Sequence, residues 1–156
     1  WVAGPPKNFV VIPYTSMHDS TRKMVEHLIG ALVERGVRAQ QFDLADTDLG
    51  KLAIALVDAA TIVVGTPTVL TGPHPNTAFA VSLTNALRPK LQFATVIGSY
   101  GWGGKTVEKI TAAIPNLKAE LLPPVLCKGL PKAEDLQALD NLAETIAQRH
   151  RALNLA

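Results

Sequence analysis

The chain has 156 residues, 47% of them hydrophobic and 18% charged, with a formal net charge of +2. That is the size of one domain with enough apolar content for a full core, and its scattered Lys and Arg leave no basic stripe for nucleic acid. The single Cys127 excludes an internal disulfide framework and fits a reducing, cytoplasmic compartment. No apolar run is long enough for a membrane span, and no signal-peptide pattern opens the chain.

Residues 1–7, with Gly4, Pro5 and Pro6, read as a linker ahead of a domain over residues 8–156. Asn8 to Tyr14 is short, apolar and β-branched and reads as the first strand. From Ser20 the period becomes helical, with Met24, Leu28, Ile29, Leu32 and Val33 on one face and Gly36 as the stop. Val37 to Leu44 reads as a second strand, Asp46 to Asp58 as a shorter helix, and Thr61 to Gly65 as a third, fully apolar and therefore central strand. Thr66 to Pro75 is a proline-rich loop, and Asn76 to Leu87 is helical. Phe93 to Ile97 forms a fourth strand ending at Gly98, followed by a helix over about 104–113. Ala119 to Val125 is a fifth strand with a proline pair at its end. Ala133 to Arg151 is the last helix, with Leu136, Leu139, Leu142, Ala143 and Ile146 inward. Alternating strands and helices imply an α/β sandwich of three layers, with a five-stranded parallel sheet of order 2-1-3-4-5.

In such sheets ligands sit beyond the carboxyl ends of the strands, where the strand order reverses. The loops after strands one, three and four meet there, and they are the unusual ones. The first, Thr15-Ser16-Met17-His18-Asp19-Ser20-Thr21, puts four hydroxyls at a helix start, which suits a phosphate and equally suits simple capping. The second, from Gly65-Thr66-Pro67-Thr68, is stiffened by Pro67, Pro73 and Pro75 and bent by Gly72. The third, Gly98-Ser99-Tyr100-Gly101-Trp102-Gly103-Gly104, lets the backbone approach a ligand closely and offers two aromatics to cover a flat ring. Together they suit a planar, phosphorylated cofactor, read here as FMN.

The loop pattern resembles the FMN-binding, flavodoxin-like domain of flavodiiron proteins, also called A-type flavoproteins. The resemblance runs from Phe9 into the last helix and rests most on Gly98 to Gly104. It implies that Ser16, Met17, His18, Ser20 and Thr21 hold the phosphate. Pro67, Thr68, Val69, Leu70, Thr71 and Gly72 would line the ribityl chain and ring edge. Ser99, Tyr100, Gly101, Trp102, Gly103 and Gly104 would cradle the isoalloxazine. The chain departs from the family's pattern at Asp19, where many relatives carry Gly, and at Leu70 and Thr71, where many carry Asn. The resemblance further implies electron relay from a donor protein or flavin reductase to a di-iron centre on a metallo-β-lactamase-like domain, upstream in the same chain. That centre reduces dioxygen or nitric oxide, and the full protein is a homo-oligomer. Residues 1–7 would then be the joint between the two domains.

Several other chemistries fail at the motif level. Gly103-Gly104-Lys105-Thr106 ends like a nucleotide-binding phosphate loop, but Ser99 stands where the pattern needs its first Gly. A phospho-receiver would need acids after strands one and three, and Tyr14-Thr15-Ser16 and Gly65-Thr66-Pro67 have none. His18, His27, His74 and His150 are too scattered in sequence for a metal cluster, and the last helix is expected to turn His150, like His27 in the first, to solvent. Two rivals stay open: a self-sufficient NAD(P)H-dependent FMN or quinone reductase, separated by bleaching with NAD(P)H alone, and a flavin-free interaction module, separated by the colour of the purified protein.

Overall fold

The computed structural model describes residues 6–15, 20–45, 49–66, 68–69, 72–73, 80–81, 84, 91–100, 119–128 and 131–155. Its central sheet contains β1 (Lys7–Tyr14), β2 (Arg38–Asp43), β3 (Ala59–Gly65), β6 (Phe93–Tyr100), β7 (Glu120–Leu121) and β8 (Val125–Lys128). A separate two-stranded hairpin joins β4 (Thr68–Val69) to β5 (Gly72–Pro73). The helices are α1 (Ser20–Glu34), α2 (Leu49–Asp58) and α3 (Ala133–Ala152), and Ala80, Val81 and Thr84 are also helical. The sheet order is β2-β1-β3-β6-β7, with β8 also on β6, and every pairing in it is parallel. With β7 and β8 counted as one broken strand, this is the expected 2-1-3-4-5 order.

Strand alternation divides the core. Val10, Ile12 and Tyr14 of β1 pack with Met24, Leu28 and Leu32 of α1 and with Leu139, Leu142 and Ile146 of α3. Phe9 and Val11, one residue out of phase, pack on the other face with Leu52 and Leu56 of α2 and with Ala80 and Val81. Every residue of β3 is buried, as its unbroken apolar run requires. Helices therefore cover both faces, which makes three layers.

Local chemistry explains the boundaries. Gly36 has φ +78° and ends α1, with the Gly36 amide donating to the Val33 carbonyl and the Val37 amide to that of Leu32. The Lys132 amide donates to Asp135 Oδ2 at 2.8 Å at the start of α3, whose last turn carries Arg149, His150 and Arg151 against the helix dipole.

The fifth strand differs from its sequence expectation. Its proline pair, Pro123-Pro124, lies inside the strand and splits it into β7 and β8. Prolines have no N–H for the ladder. Thr95 of the neighbouring β6 bridges the gap from the other side, its Oγ1 donating to the carbonyls of Leu122 and Pro123 at 3.0 and 3.2 Å. Pairing resumes from Val125, and β8 carries β6 on to Tyr100, two residues beyond Gly98.

His150 is also a correction. It is not on the surface but 1% exposed, beneath the amino-terminal edge of the sheet. Asn8 Nδ2 donates to the Gly36 carbonyl at 3.1 Å, which turns Asn8 Oδ1 toward His150 Nδ1 at 2.8 Å. His150 Nδ1 must therefore donate to that oxygen, and Nε2 accepts from Thr61 Oγ1 at 2.7 Å. The ring stacks on Phe93 with centroids 6.0 Å apart. His27 is half-buried and bonds Asp140 Oδ1 at 2.8 Å.

Three strand ends come together at the opposite, carboxyl edge. The Thr15 amide donates to the Gly65 carbonyl and the Thr66 amide to the Ile97 carbonyl, both at 3.0 Å. A Cβ at Gly98 would stand 1.9 Å from the Thr66 carbonyl oxygen, and one at Gly65 would stand 2.8 Å from Tyr14 Cβ. At this height both strands approach their neighbours too closely for any side chain, and glycine stands at both positions.

Two predictions follow from these two edges. Replacing Gly98 with Ala forces one backbone off the other, so a loss of about 3 kcal/mol or more is expected in urea unfolding, at or above the usual cost of overpacking. A variant as stable as the parent would refute the contact. Burial pulls the His150 pKa from 6.5 down to about 4. The unfolded chain therefore takes up the proton first as pH falls. This group's contribution is whole above pH 6.5 and is lost progressively as pH falls toward 4. The urea midpoint of the parent should fall more steeply across that window than that of His150→Gln; parallel profiles would contradict it.

Candidate functional site

α1 begins beside the carboxyl ends of β1 and β3, with Thr21 Cγ2 3.3 Å from where a Cβ of Gly65 would stand. Its first two residues, Ser20 and Thr21, are buried, and its first turn has no acidic side chain. The positive dipole end of this 15-residue helix thus lies at the carboxyl edge with no carboxylate within its own first turn. Thr21 is 1% exposed, and its Oγ1 has no hydrogen-bond partner among the described residues. A buried hydroxyl left without a partner costs about 1–3 kcal/mol, so an acceptor supplied from outside the protein fits this position. Thr21 is also one of the groups that a Cβ at Gly65 would press, its Cγ2 lying 3.3 Å away. Gly65 therefore lets α1 start close against the end of β3.

Beside this helix start stands a polar cluster that loop chemistry did not single out. Arg22 NH2 donates to Asp43 Oδ2 at 3.1 Å, and Arg22 also hydrogen-bonds the Tyr14 hydroxyl. Burial raises the Tyr14 pKa, Asp43 adds to the rise and Arg22 opposes it. Asp43 Oδ1 in turn accepts from the Ala45 amide at 3.0 Å. The first cation after the hydroxyl loop is thereby engaged by the end of β2. The signal for this was weak, because Arg22 and Asp43 lie 21 residues apart and meet only once β1 and β2 pair.

The sequence candidates divide as follows. Ser20 and Thr21 stand at the helix start. Thr68, Val69 and Gly72 belong to the β4–β5 hairpin, an element unforeseen within the second loop, and β4 lies against β6. Ser99 and Tyr100 extend β6, opposite Cys127 and Lys128 of β8. Ser16, Met17, His18, Pro67, Leu70, Thr71, Gly101, Trp102, Gly103 and Gly104 lie outside the described residues. The three loops nevertheless start from one edge, since β1, β3 and β6 are consecutive neighbours whose ends are tied at Thr15–Gly65 and Thr66–Ile97.

Cys127 is buried, its Sγ 3.5 Å from Met24 Sδ, and burial pushes its pKa up to about 11. It is a thiol packed in the core, not a nucleophile. Among the described residues no three His, Cys, Asp or Glu side chains are grouped as a metal site, and no helix is long and apolar enough to cross a membrane.

No protein-family model matches the chain. A nitric oxide reductase of Moorella thermoacetica is 32% identical over 151 residues, which is 96% of this chain and 38% of that protein. The solved rubredoxin oxygen:oxidoreductase of Desulfovibrio gigas superposes with a TM-score of 0.91 at 28% identity, over 97% of this chain and 38% of that one. An archaeal flavodoxin superposes with a TM-score of 0.78 at 24% identity, over 92% of this chain and 99% of its own length, which shows the shared fold. The chain thus spans well under half of the multidomain relatives and nearly the whole of a flavodoxin. The fold and these likenesses show a flavodoxin-like, FMN-type redox domain, similar over nearly its whole length to part of the flavodiiron proteins.

Proposed function

We propose that this chain holds FMN at the carboxyl edge of its sheet and relays electrons from a donor protein or flavin reductase to a di-iron centre on a separate metallo-β-lactamase-like domain. The buried, unpartnered Thr21 Oγ1 at the start of α1 carries the reading, because it is a donor waiting for an external acceptor. Bound FMN would supply the ability to take electrons in pairs and release them singly. The protein's own residues do the rest. Ser16, Ser20 and Thr21, with the first amides of α1, hold the phosphate by neutral donors. Asp43 keeps the Arg22 charge engaged at the side. Pro67 to Gly72 line the ribityl chain and ring edge, with Thr68, Val69 and Gly72 in the hairpin. Ser99 to Gly104 cover the isoalloxazine, with Trp102 against or beside the ring.

The relatives include a nitric oxide reductase and a rubredoxin-oxygen oxidoreductase. They support nitric oxide or dioxygen as the final acceptor of the assembled protein. In that assembly the segment ahead of β1 joins this domain to the metal-bearing one. The assembly is a homo-oligomer in the cytoplasm, in which a neighbouring subunit brings its metal centre to the flavin. Isolated FMN-loaded chain, given a chemical reductant, is expected to show no rapid nitric oxide consumption or four-electron dioxygen reduction. Rapid turnover by the chain alone would favour the self-sufficient flavin enzyme.

Thr21→Val tests the phosphate position. It keeps the shape and removes the hydroxyl, so FMN affinity should fall about 10- to 100-fold, as for one lost bond to a charged group. The apoprotein should be as stable as the parent or more so, because an unsatisfied polar atom is gone. Unchanged affinity by flavin-fluorescence titration would remove Thr21 from the site. Trp102→Phe tests the ring position. Flavin should quench the emission of Trp102, and quenching that survives the substitution would assign it to Trp1 instead.

A further inference from the structure

A second concave surface lies away from the cleft, at the end of the sheet where β1 and β2 begin. It is an open groove of about 580 Å³ between the first half of β2 and the outer side of α2. Lys51, Ile54, Ala55 and Asp58 line it from one helical face, while Leu52 and Leu56 point the other way into the core. Phe9 of β1 closes its floor, and Arg38 rises from β2 with its guanidinium 4.5 Å from the Phe9 ring centroid. Ile54 is 74% exposed here, an apolar side chain with no cover.

The charge of the groove is one-sided. Asp58 is neutralised by Lys7 at 3.7 Å. Among the described residues Arg22, Arg35, Arg149 and Arg151 are each paired with a carboxylate, whereas Arg38 and Lys51 have none. Beside them runs an open strand edge, since β2 ends the sheet and pairs only with β1 among the described residues. An edge strand offers outward backbone N–H and C=O groups to a further strand. Alternate side chains of such a strand share one face.

We propose that this groove docks an extended acidic segment of a partner protein, added as a strand along β2. One apolar side chain sits on Ile54 and Ala55, and a carboxylate two residues along meets Arg38 and Lys51. The open edge favours a peptide over a small anion, and the two cations favour an acidic one. The docking end is opposite the flavin cleft, so the partner can stay bound while the cleft is in use.

The test is a titration of ¹⁵N-labelled full chain with acetyl-Val-Thr-Glu-Thr-Val-Thr-Glu-amide, whose Val and Glu side chains share one strand face. Amide shifts should change along Arg38–Asp43 and Leu49–Asp58 and not at Ser20, Thr21 or Gly65. Affinity should drop at least about tenfold for Arg38→Glu combined with Lys51→Glu, as for loss of complementary interface charges. It should drop likewise for the same peptide N-methylated at alternate residues. Circular dichroism checks that the variant is folded. Equal affinity for the Lys-for-Glu peptide, insensitivity to N-methylation, equally tight binding of free glutarate at the same residues, or sedimentation showing that the groove pairs two copies of this chain would each overturn the proposal, as would no binding at all.

Discussion

The backbone contact between Gly98 and Thr66 is the constraint on which the cleft depends. No side chain can stand between a Cα and a carbonyl oxygen that close. β3 and β6 therefore reach the edge locked together, and the Thr66 amide bond to Ile97 fixes their relative height. β1 is tied to the same edge through the Thr15 amide and Gly65, whose missing side chain leaves room for Tyr14 and Thr21. Three loops of different sequence thus leave one rigid line. That is how a parallel sheet makes a site: the scaffold sets where loops start, and the loops supply the chemistry.

The line is rigid because the sheet behind it is buried on both faces. Ile62 and Val64 of β3 face α2, and Val63 faces α1 and α3. Each such side chain contributes about 1.5–3 kcal/mol on burial, against which exposed ion pairs such as Arg151–Glu144 add little. α1 is held at both ends. Leu28 and Leu32 seat its second half in the core, and Gly36 stops it by a left-handed turn. The Arg22–Asp43–Tyr14 cluster holds its first turn to the ends of β1 and β2. A helix so fixed presents its free amides at one place, which a phosphate-sized ligand needs.

What sequence could and could not tell follows from the range of each interaction. The β3 run, apolar but for Thr61, the glycine stop of α1 and the inward face of α3 are local patterns, and each appears where its residues indicate. The sheet order needs only the alternation of elements and the preference for right-handed crossovers. By contrast, the extension of β6 to Tyr100 depends on β8, 25 or more residues later, and the gap at Pro123-Pro124 is bridged by Thr95 from another strand. The β4–β5 hairpin is hidden among prolines that ordinarily argue for loop. His150 reads as solvent-facing because helical periodicity describes one helix at a time. Its partners, Asn8 and Thr61, are 142 and 89 residues away. In the candidate site, residue types indicate the carboxyl edge, while the Thr21 orphan and the two glycine contacts appear only once three strands are adjacent.

The two edges of the sheet treat buried polar groups in opposite ways, and this contrast locates function more sharply than loop composition does. Buried donors and acceptors are nearly always paired. At the amino-terminal edge the rule holds through a closed chain from Thr61 to His150, Asn8 and the Gly36 carbonyl, each atom using a partner within the fold. In the middle Thr95 and Thr84 spend their hydroxyls on carbonyls. At the carboxyl edge Thr21 Oγ1 is buried and unpaired among the described residues, in a helix turn with no acid of its own. A polar group closed off inside the fold stabilises structure alone. One that is buried and unpartnered at the mouth of a cleft costs stability in the free protein, and that cost is recovered when an acceptor from outside is bound. The polar core is complete where the chain needs only to be held together and incomplete where we propose that it meets its cofactor.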